Sequence, residues 1–156
     1  MMKNKWPANP LSHSIVIEAP RSHVWEKLTD WPSQSSWMAM TSVESRSSGE
    51  ALGTEIFALT GLFARSNFKI KKYLGILDHM VITQWQPPEK CEVEHIGSVI
   101  TGIGRFTLVA INEDSTRFDW YEEIAAPKIL MRVISPAIML GVRFSLWRFA
   151  RSFRNE

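Results

Sequence analysis

Residues 14–37, reading SIVIEAPRSHVWEKLTDWPSQSSW, constrain the fold more than any other stretch, because a strand passes into two short helices through punctuation with an assignable physical cause. Ser14, Ile15, Val16, Ile17 and Glu18 form a β-branched run closed by Ala19 and Pro20, which is strand chemistry followed by a stop. Pro20 lacks the N–H that a first-turn residue leaves unpaired and its φ is already helical, so it is expected to start a helix. Val24, Trp25 and Leu28 fall at helical spacing and share one face of it. Asp30 before Trp31-Pro32 then has the chemistry of a cap and a proline start for a second short helix ending near Trp37.

Beyond Trp37 the pattern changes to period two. Residues 40–47 read as a polar-faced strand ended by Ser48-Gly49, and 54–60 as its hairpin partner. Residues 61–79 mix apolar and basic side chains without a clean period, and an extra strand, a short helix and a long loop all stay open there. Residues 80–85 form an apolar strand, Pro87-Pro88-Glu89-Lys90 a turn, and 91–96 the returning strand. Residues 98–111 make a long strand with Gly102 and Gly104 near its start, where bending or a bulge is expected. After the turn Asn112-Glu113-Asp114-Ser115, residues 116–124 form the last strand. Seven strands joined mostly by short turns imply an antiparallel sheet with one covered face.

The cover is the C-terminal segment. Ser135 as N-cap and Pro136 at the first helical position introduce Met139, Val142, Leu146, Phe149 and Phe153 in three-four spacing, and Leu140, Phe144 and Trp147 widen that apolar arc. Residues 127–134 form a helical turn or two of their own, with Pro136 restarting or kinking the axis.

Composition sets the limits. A chain of 156 residues suits one domain, with 1–11 as a flexible N-terminal tail and 12–153 as the core, and it is large enough to enclose a cavity. A net charge of +2 is too small for a general nucleic-acid binder. Cys91 is the only cysteine, which excludes an intramolecular disulfide and a cysteine zinc cluster, and leaves Cys91 as a small buried hydrophobe. His13, His23 and His79 lack metal-ligand spacing, so neither metal nor cofactor is expected. Gly102-Ile103-Gly104 opens a strand rather than a helix and is no phosphate loop. The N-terminus has lysines but no apolar signal region, and no uninterrupted apolar run reaches spanning length, so a cytoplasmic location is expected.

The order strand, two short helices, six strands and a long helix resembles the START-like or SRPBCC superfamily, which includes polyketide cyclase and dehydrase relatives, lipid-transfer domains and the birch pollen allergen. The resemblance runs from Ser12 to about Phe153. It is carried by Ile15-Val16-Ile17-Glu18-Ala19-Pro20, Val24-Trp25, Leu28, Asp30, Trp37, Gly53-Thr54, Trp85 with Pro87-Pro88, Gly102-Ile103-Gly104 with Phe106, and Trp120 with Glu122. It implies an α+β helix-grip fold, a strongly curved antiparallel sheet wrapped around the C-terminal helix, with an apolar ligand held between them.

Alternation assigns the inner face. Phe118, Trp120, Glu122 and Ile124 share one side of the last strand, as do Cys91, Val93 and His95 on theirs and Phe106, Leu108 and Ala110 on theirs. The expected cavity lining is therefore Trp25, Phe57, Val93, His95, Phe106, Leu108, Trp120 and Glu122, completed by Met139, Val142, Leu146 and Phe149 from the helix. Glu122 and His95 are the candidate catalytic pair: desolvation tunes a carboxyl for proton transfer, and imidazole titrates near neutrality. The plainer alternatives are that Glu122 pairs with Arg105 or a helix arginine, and that His95 is a hydrogen-bonded strand-end histidine. The expected function is binding and transport of a lipid, polyketide or similar apolar metabolite, with a cyclase or dehydratase using Glu122 and His95 as the alternative. Arg132, Arg143, Arg148, Arg151 and Arg154, interleaved with Phe144, Trp147, Phe149 and Phe153, also have the composition of a helix that touches membrane surfaces. Cations near a helix C-terminus that favour the macrodipole are the structural alternative.

Overall fold

The computed structural model describes residues 6–62, 64 and 75–156. Strand β1 (Ala8–Ile17) leads through Pro20 into α1 (Arg21–Thr29), a 3-10 turn over Trp31–Ser33 and α2 (Gln34–Trp37). Strands β2 (Thr41–Arg46), β3 (Glu55–Thr60), β4 (Ile76–Gln86), β5 (Lys90–Ile96), β6 (Thr101–Asn112) and β7 (Ser115–Ala125) follow, then α3 (Lys128–Ser152) and a closing 3-10 turn over Phe153–Asn155. Among the described residues the seven strands form one sheet in the order β1-β7-β6-β5-β4-β3-β2. Every pairing is antiparallel. This is the expected α+β helix-grip arrangement.

Several boundaries move, each for a local reason. Strand β1 begins at Ala8, since pairing with β7 from Ala8↔Ala125 onward gives its backbone partners, so the expected tail is already strand from Ala8. Pro20 is the N-cap, with ψ 146°, rather than the first helical residue. Asp30 makes no side-chain cap, and the Ser33 hydroxyl donates to its carbonyl instead. Strand β4 starts at Ile76, four residues before the apolar run that marks it in the sequence. Of the open segment 61–79, residues 63 and 65–74 lie outside the described residues.

No register shift occurs at Gly102 or Gly104; the irregularities fall between Ile82 and Gln84 in β4 and between Ala110 and Asn112 in β6. Gly102 nonetheless has φ +142°, and a Cβ there would stand 1.7 Å from the Glu123 carbonyl oxygen, so only glycine keeps the β6–β7 ladder at this point.

The terminal helix is continuous from Lys128 to Ser152, with Pro127 at its N-cap and Pro136 inside it. Ser135 therefore does not cap a helix. Pro136 forfeits one hydrogen bond, to the carbonyl of Arg132, and the helix persists because Met131 before it and Leu146 and Phe149 after it are buried. The inner stripe contains Met139, Val142, Leu146, Phe149 and Phe153, as the spacing predicts. Leu140, Phe144 and Trp147 do not extend it; they are 72%, 47% and 49% exposed on the opposite side of the helix.

The core forms where α1 packs on β6 and β7, α3 lies beside β1 and α2 packs on α3. Ile17, Val24, Leu28, Leu108, Phe118 and Phe149 are essentially closed to solvent there. The Phe149 ring stands 4.7 Å from Trp37, 6.0 Å from Phe118 and 5.1 Å from Phe153, so one side chain joins the short helices, the sheet and the chain end. Truncation to alanine should separate the two faces of α3 in denaturant unfolding: Phe149→Ala is expected to cost about 3–5 kcal/mol, and Trp147→Ala no more than about 0.5 kcal/mol. Equal losses would mean that the helix is rotated from the orientation described.

Candidate functional site

The inner face of the sheet carries one ionic cluster, assembled from three strands across a fourth. His95 on β5 pairs with Met80 of β4 on one side and Gly102 of β6 on the other, while Glu122 on β7 pairs with Gly104 of β6. Side chains from β5 and β7 meet only if the strand between them leaves room. Gly104 leaves it: a Cβ there would lie 3.0 Å from Val93 Cγ2, 3.2 Å from His95 Nε2 and 3.7 Å from Glu122 Oε1. The Gly102-Ile103-Gly104 pair thus serves two ends, one glycine for backbone conformation and the other for a gap under an imidazole.

Asp78, two residues before Met80 on the same face of β4, completes the cluster. His95 Nδ1 donates to its carboxylate, with both oxygens at 2.9 Å. On the far side Nε2 stands 3.2 Å from Glu122 Oε1, within ion-pair range but not aligned as a hydrogen bond. The imidazole is 1% exposed, against 15% for Asp78 and 21% for Glu122. Burial opposes charging this imidazole, but the Asp78 hydrogen bond and then Glu122 outweigh it, and the His95 pKa is pushed up to about 9. At neutral pH the cluster is an imidazolium between two carboxylates. A proton held that firmly disqualifies His95 as a resting general base. It equips the residue as a proton donor instead.

The other predicted lining residues divide. Trp25, Val93, Leu108, Trp120, Leu146 and Phe149 are buried in the core, with Trp25 edge-on to Trp85 at 4.9 Å. Phe106, Met139 and Val142 are partly buried against that core. Phe57 departs from expectation. Ile56 and Ala58 take the inner face of β3, which turns Phe57 outward to stack on His79 at 4.3 Å beneath Arg46. Ala110 is exposed at the irregular end of β6.

Burial along the inner face is graded. Ile17, Leu108 and Phe118 close one end at 1% exposure or less, whereas Leu11, Met80, Glu122 and Ile124, toward the other end, are only half-buried. The ionic cluster lies at that more open end. Arg105 is not Glu122's partner: it binds Glu92 from the outer face, Nη2 to Oε2 at 2.7 Å. Cys91 is buried, and desolvation followed by the charge of Glu92 pushes its thiol up to about 12, so it is an inert core residue. Among the described residues no group of histidine, cysteine and carboxylate side chains has the arrangement of a metal site.

Asp78 is the site residue the sequence reading overlooks. Its signal is the alternation Asp78, Met80, Ile82, visible once β4 is extended backward past the charged pair Asp78-His79.

Because the folded pKa of His95 lies above the ordinary 6.5, the stabilisation it brings is complete below pH 6.5 and is lost as pH rises through about 9. The difference is on the order of 3 kcal/mol. Denaturant unfolding followed from pH 6 to about 10 should show this slope, with imidazole NMR placing the titration at its upper end. Asp78→Asn should move the titration back toward 6.5 and flatten the slope; an unchanged titration would refute the assigned cause.

No family model matches the sequence, and no curated protein matches it. Solved structures do. The Zhui aromatase/cyclase from Streptomyces sp. R1128 superposes with a TM-score of 0.74 at 10% identity, over 94% of this chain and 93% of that one. A START superfamily protein from Mycobacterium smegmatis gives 0.71 at 9% identity, over 94% and 99%. The di-domain ARO/CYC BexL from the BE-7585A biosynthetic pathway gives 0.66 at 12% identity, over 92% of this chain and 49% of its own length. At such identities the likeness is one of architecture, and this chain has the START-like helix-grip fold.

Proposed function

We propose that this protein binds a small, largely apolar molecule on the inner face of the sheet beneath α3, with the polar end of the molecule at Asp78, His95 and Glu122. The observation that carries this reading is the graded interior, closed over Phe118 and Leu108 and only half-buried around a single ionic cluster. Half-buried inner residues such as Leu11, Met80 and Ile124 offer apolar area that a ligand would cover, at about 25 cal/mol per Å² before association costs. A lipid, polyketide or similar metabolite has the required character. The polar contacts set orientation.

The charge of the cluster narrows the ligand. Two carboxylates around one imidazolium leave a net negative site, and among the described residues no lysine or arginine pairs with Asp78 or Glu122. Such a site accepts hydrogen bonds, so it favours a hydroxyl, phenol or amine and opposes a carboxylate or phosphate.

A second reading, a cyclase or dehydratase, has its own supporting observation: the misaligned contact between His95 Nε2 and Glu122 Oε1 at 3.2 Å. In this reading Glu122 takes a proton from carbon beside a carbonyl while His95 protonates the departing hydroxyl, releasing water and leaving a double bond. Transfer of the proton from Glu122 to Nε2 restores the starting state, and Asp78 holds the imidazole in place throughout. Aromatase/cyclase and ARO/CYC are the descriptions carried by two of the structural neighbours.

Quenching of tryptophan fluorescence by β-naphthol and β-naphthoate tests the binding reading. Naphthol is expected to bind at least about tenfold more tightly, Glu122→Gln to narrow that gap, and Trp120→Ala to weaken uptake far more than Trp6→Ala. Equal binding of the two probes would remove the assignment of the polar end, and no binding of either would remove the apolar site. For the enzymatic reading, Glu122→Gln should abolish dehydration of a β-hydroxyketone while leaving probe binding in place; turnover that survives this change excludes Glu122 as the base.

A further inference from the structure

Helix α3 is apolar on two sides, and only one of them has a partner. The side bearing Met131, Leu146 and Phe149 covers the sheet. At about 100° per residue, Ile129, Val133, Leu140, Phe144 and Trp147 form a second stripe on roughly the opposite side. They are 78%, 73%, 72%, 47% and 49% exposed. By length and composition the helix is apolar enough to cross a membrane, yet only 17% of its most apolar stretch is buried. Met40 and Leu62, 49% and 80% exposed, adjoin this stripe beside Phe144 and Arg148. An apolar surface this continuous on one side of a helix calls for an occupant.

The charges around the stripe specify which one. From Lys128 to Asn155 the chain carries Lys128 and five arginines and no acidic residue. Arg132 and Arg143 flank one edge of the stripe and have no carboxylate partner among the described residues. On the other edge, Arg148 lies over the Phe144 ring at 5.8 Å, and toward the C-terminal end Arg151 lies over Trp147 at 5.3 Å. Their stems lie along the apolar face while their charges border it. Arg154 is drawn away by Glu18 at 3.1 Å and takes no part.

We propose that this outward face of α3 docks on an anionic lipid bilayer, with the helix lying in the plane of the interface. An exposed apolar stripe bordered by cations, with a tryptophan and a phenylalanine on it, matches the boundary between acyl chains and acidic headgroups. A second copy of the chain fits less well, because a symmetric pairing through this face would press one set of arginines against another. Spanning the bilayer would expel Met131, Leu146 and Phe149 from the core. The helix therefore lies on the membrane and does not cross it.

Flotation with vesicles of phosphatidylcholine, with and without phosphatidylglycerol, tests this on the full-length protein. Wild type should float with the anionic vesicles at low salt, and high salt should release most of it. Leu140→Ser with Phe144→Ser, both at exposed positions, should weaken binding by more than about tenfold with the near-UV circular dichroism of the core retained. Arg132→Gln with Arg143→Gln should weaken it by roughly tenfold or more for anionic vesicles without affecting the neutral ones. Quenching by brominated lipid should fall when Trp147 is replaced by phenylalanine. Failure to float at low salt, or equal flotation of the apolar double variant, overturns the proposal. So does a dimer in sedimentation that Leu140→Ser dissolves, which would assign the face to a second copy. None of these outcomes depends on probe binding to the inner face.

Discussion

The contact of Phe149 with Phe118 and Trp37 gathers α3, the short helices and the sheet into one cluster of rings, beside the hydrogen bonds from Ala39 N–H to Ser145 Oγ and from Arg148 to the Ser36 carbonyl that tie the end of α2 to α3. A sheet of this kind has one apolar face to bury, and α3 has to cross it at an angle and rotation that bring the right residues down. Phe149 sets that rotation. With its ring among Phe118, Trp37 and Phe153, the residues one turn either way, Leu146 and Phe153, are drawn inward. Phe144 and Trp147 are directed outward by the same geometry. The tight end of the interior, the docking of the short tryptophan-bearing helices and the existence of an outer apolar face all follow from that one packing decision.

The opposite end is organised by electrostatics rather than by volume. Burying a histidine with two carboxylates is costly unless charges and hydrogen bonds compensate, and here the compensation is arranged around a strand that has no side chain at the crossing point. Gly104 is thus as much a part of the cluster as the residues that carry charge. A methyl group there would not break the sheet. It would press on Val93 Cγ2 at 3.0 Å and on His95 Nε2 at 3.2 Å, so that the valine, the imidazole or both would have to yield by a few tenths of an ångström.

Much of this was legible in the sequence where burial and periodicity coincide. The alternation of Phe118, Trp120 and Glu122, and of Cys91, Val93 and His95, placed the inner face correctly, and the helical spacing of Val24, Trp25 and Leu28 did the same for α1. Where one residue type serves two environments, sequence alone failed. Phe57 is as large and apolar as the core residues Phe118 and Phe149, but its parity on β3 places it outside against His79. Leu140, Phe144 and Trp147 read as core because an apolar arc wider than one face has no internal mark showing where the core ends. Asp78 was hidden for the converse reason: a carboxylate inside a strand interrupts the apolar signal, although the register of β4 and β5 carries it directly to His95. The glycines are legible as punctuation, but their use depends on what approaches from the neighbouring strands, which no local pattern records.

The outer side of α3 and the ionic cluster on the inner face of the sheet carry charge of opposite sign, and that separation limits how they can cooperate. The helix's outer side is flanked by cations with no acid among residues 128–155, whereas the inner site toward which the sheet opens holds two carboxylates and one imidazolium. An acidic headgroup attracted to the first is repelled by the second, and the repulsion is stronger inside because the site is shielded from water. A bilayer that recruits the protein through anionic lipids would therefore not load it with those same lipids. The molecule that enters would be a minority component of the membrane or a solute beside it, apolar in its body and carrying a hydrogen-bond donor at its end. On these two proposals, charge would do for this fold what shape alone does not: it would let one helix serve a surface of one chemistry and a ligand of another.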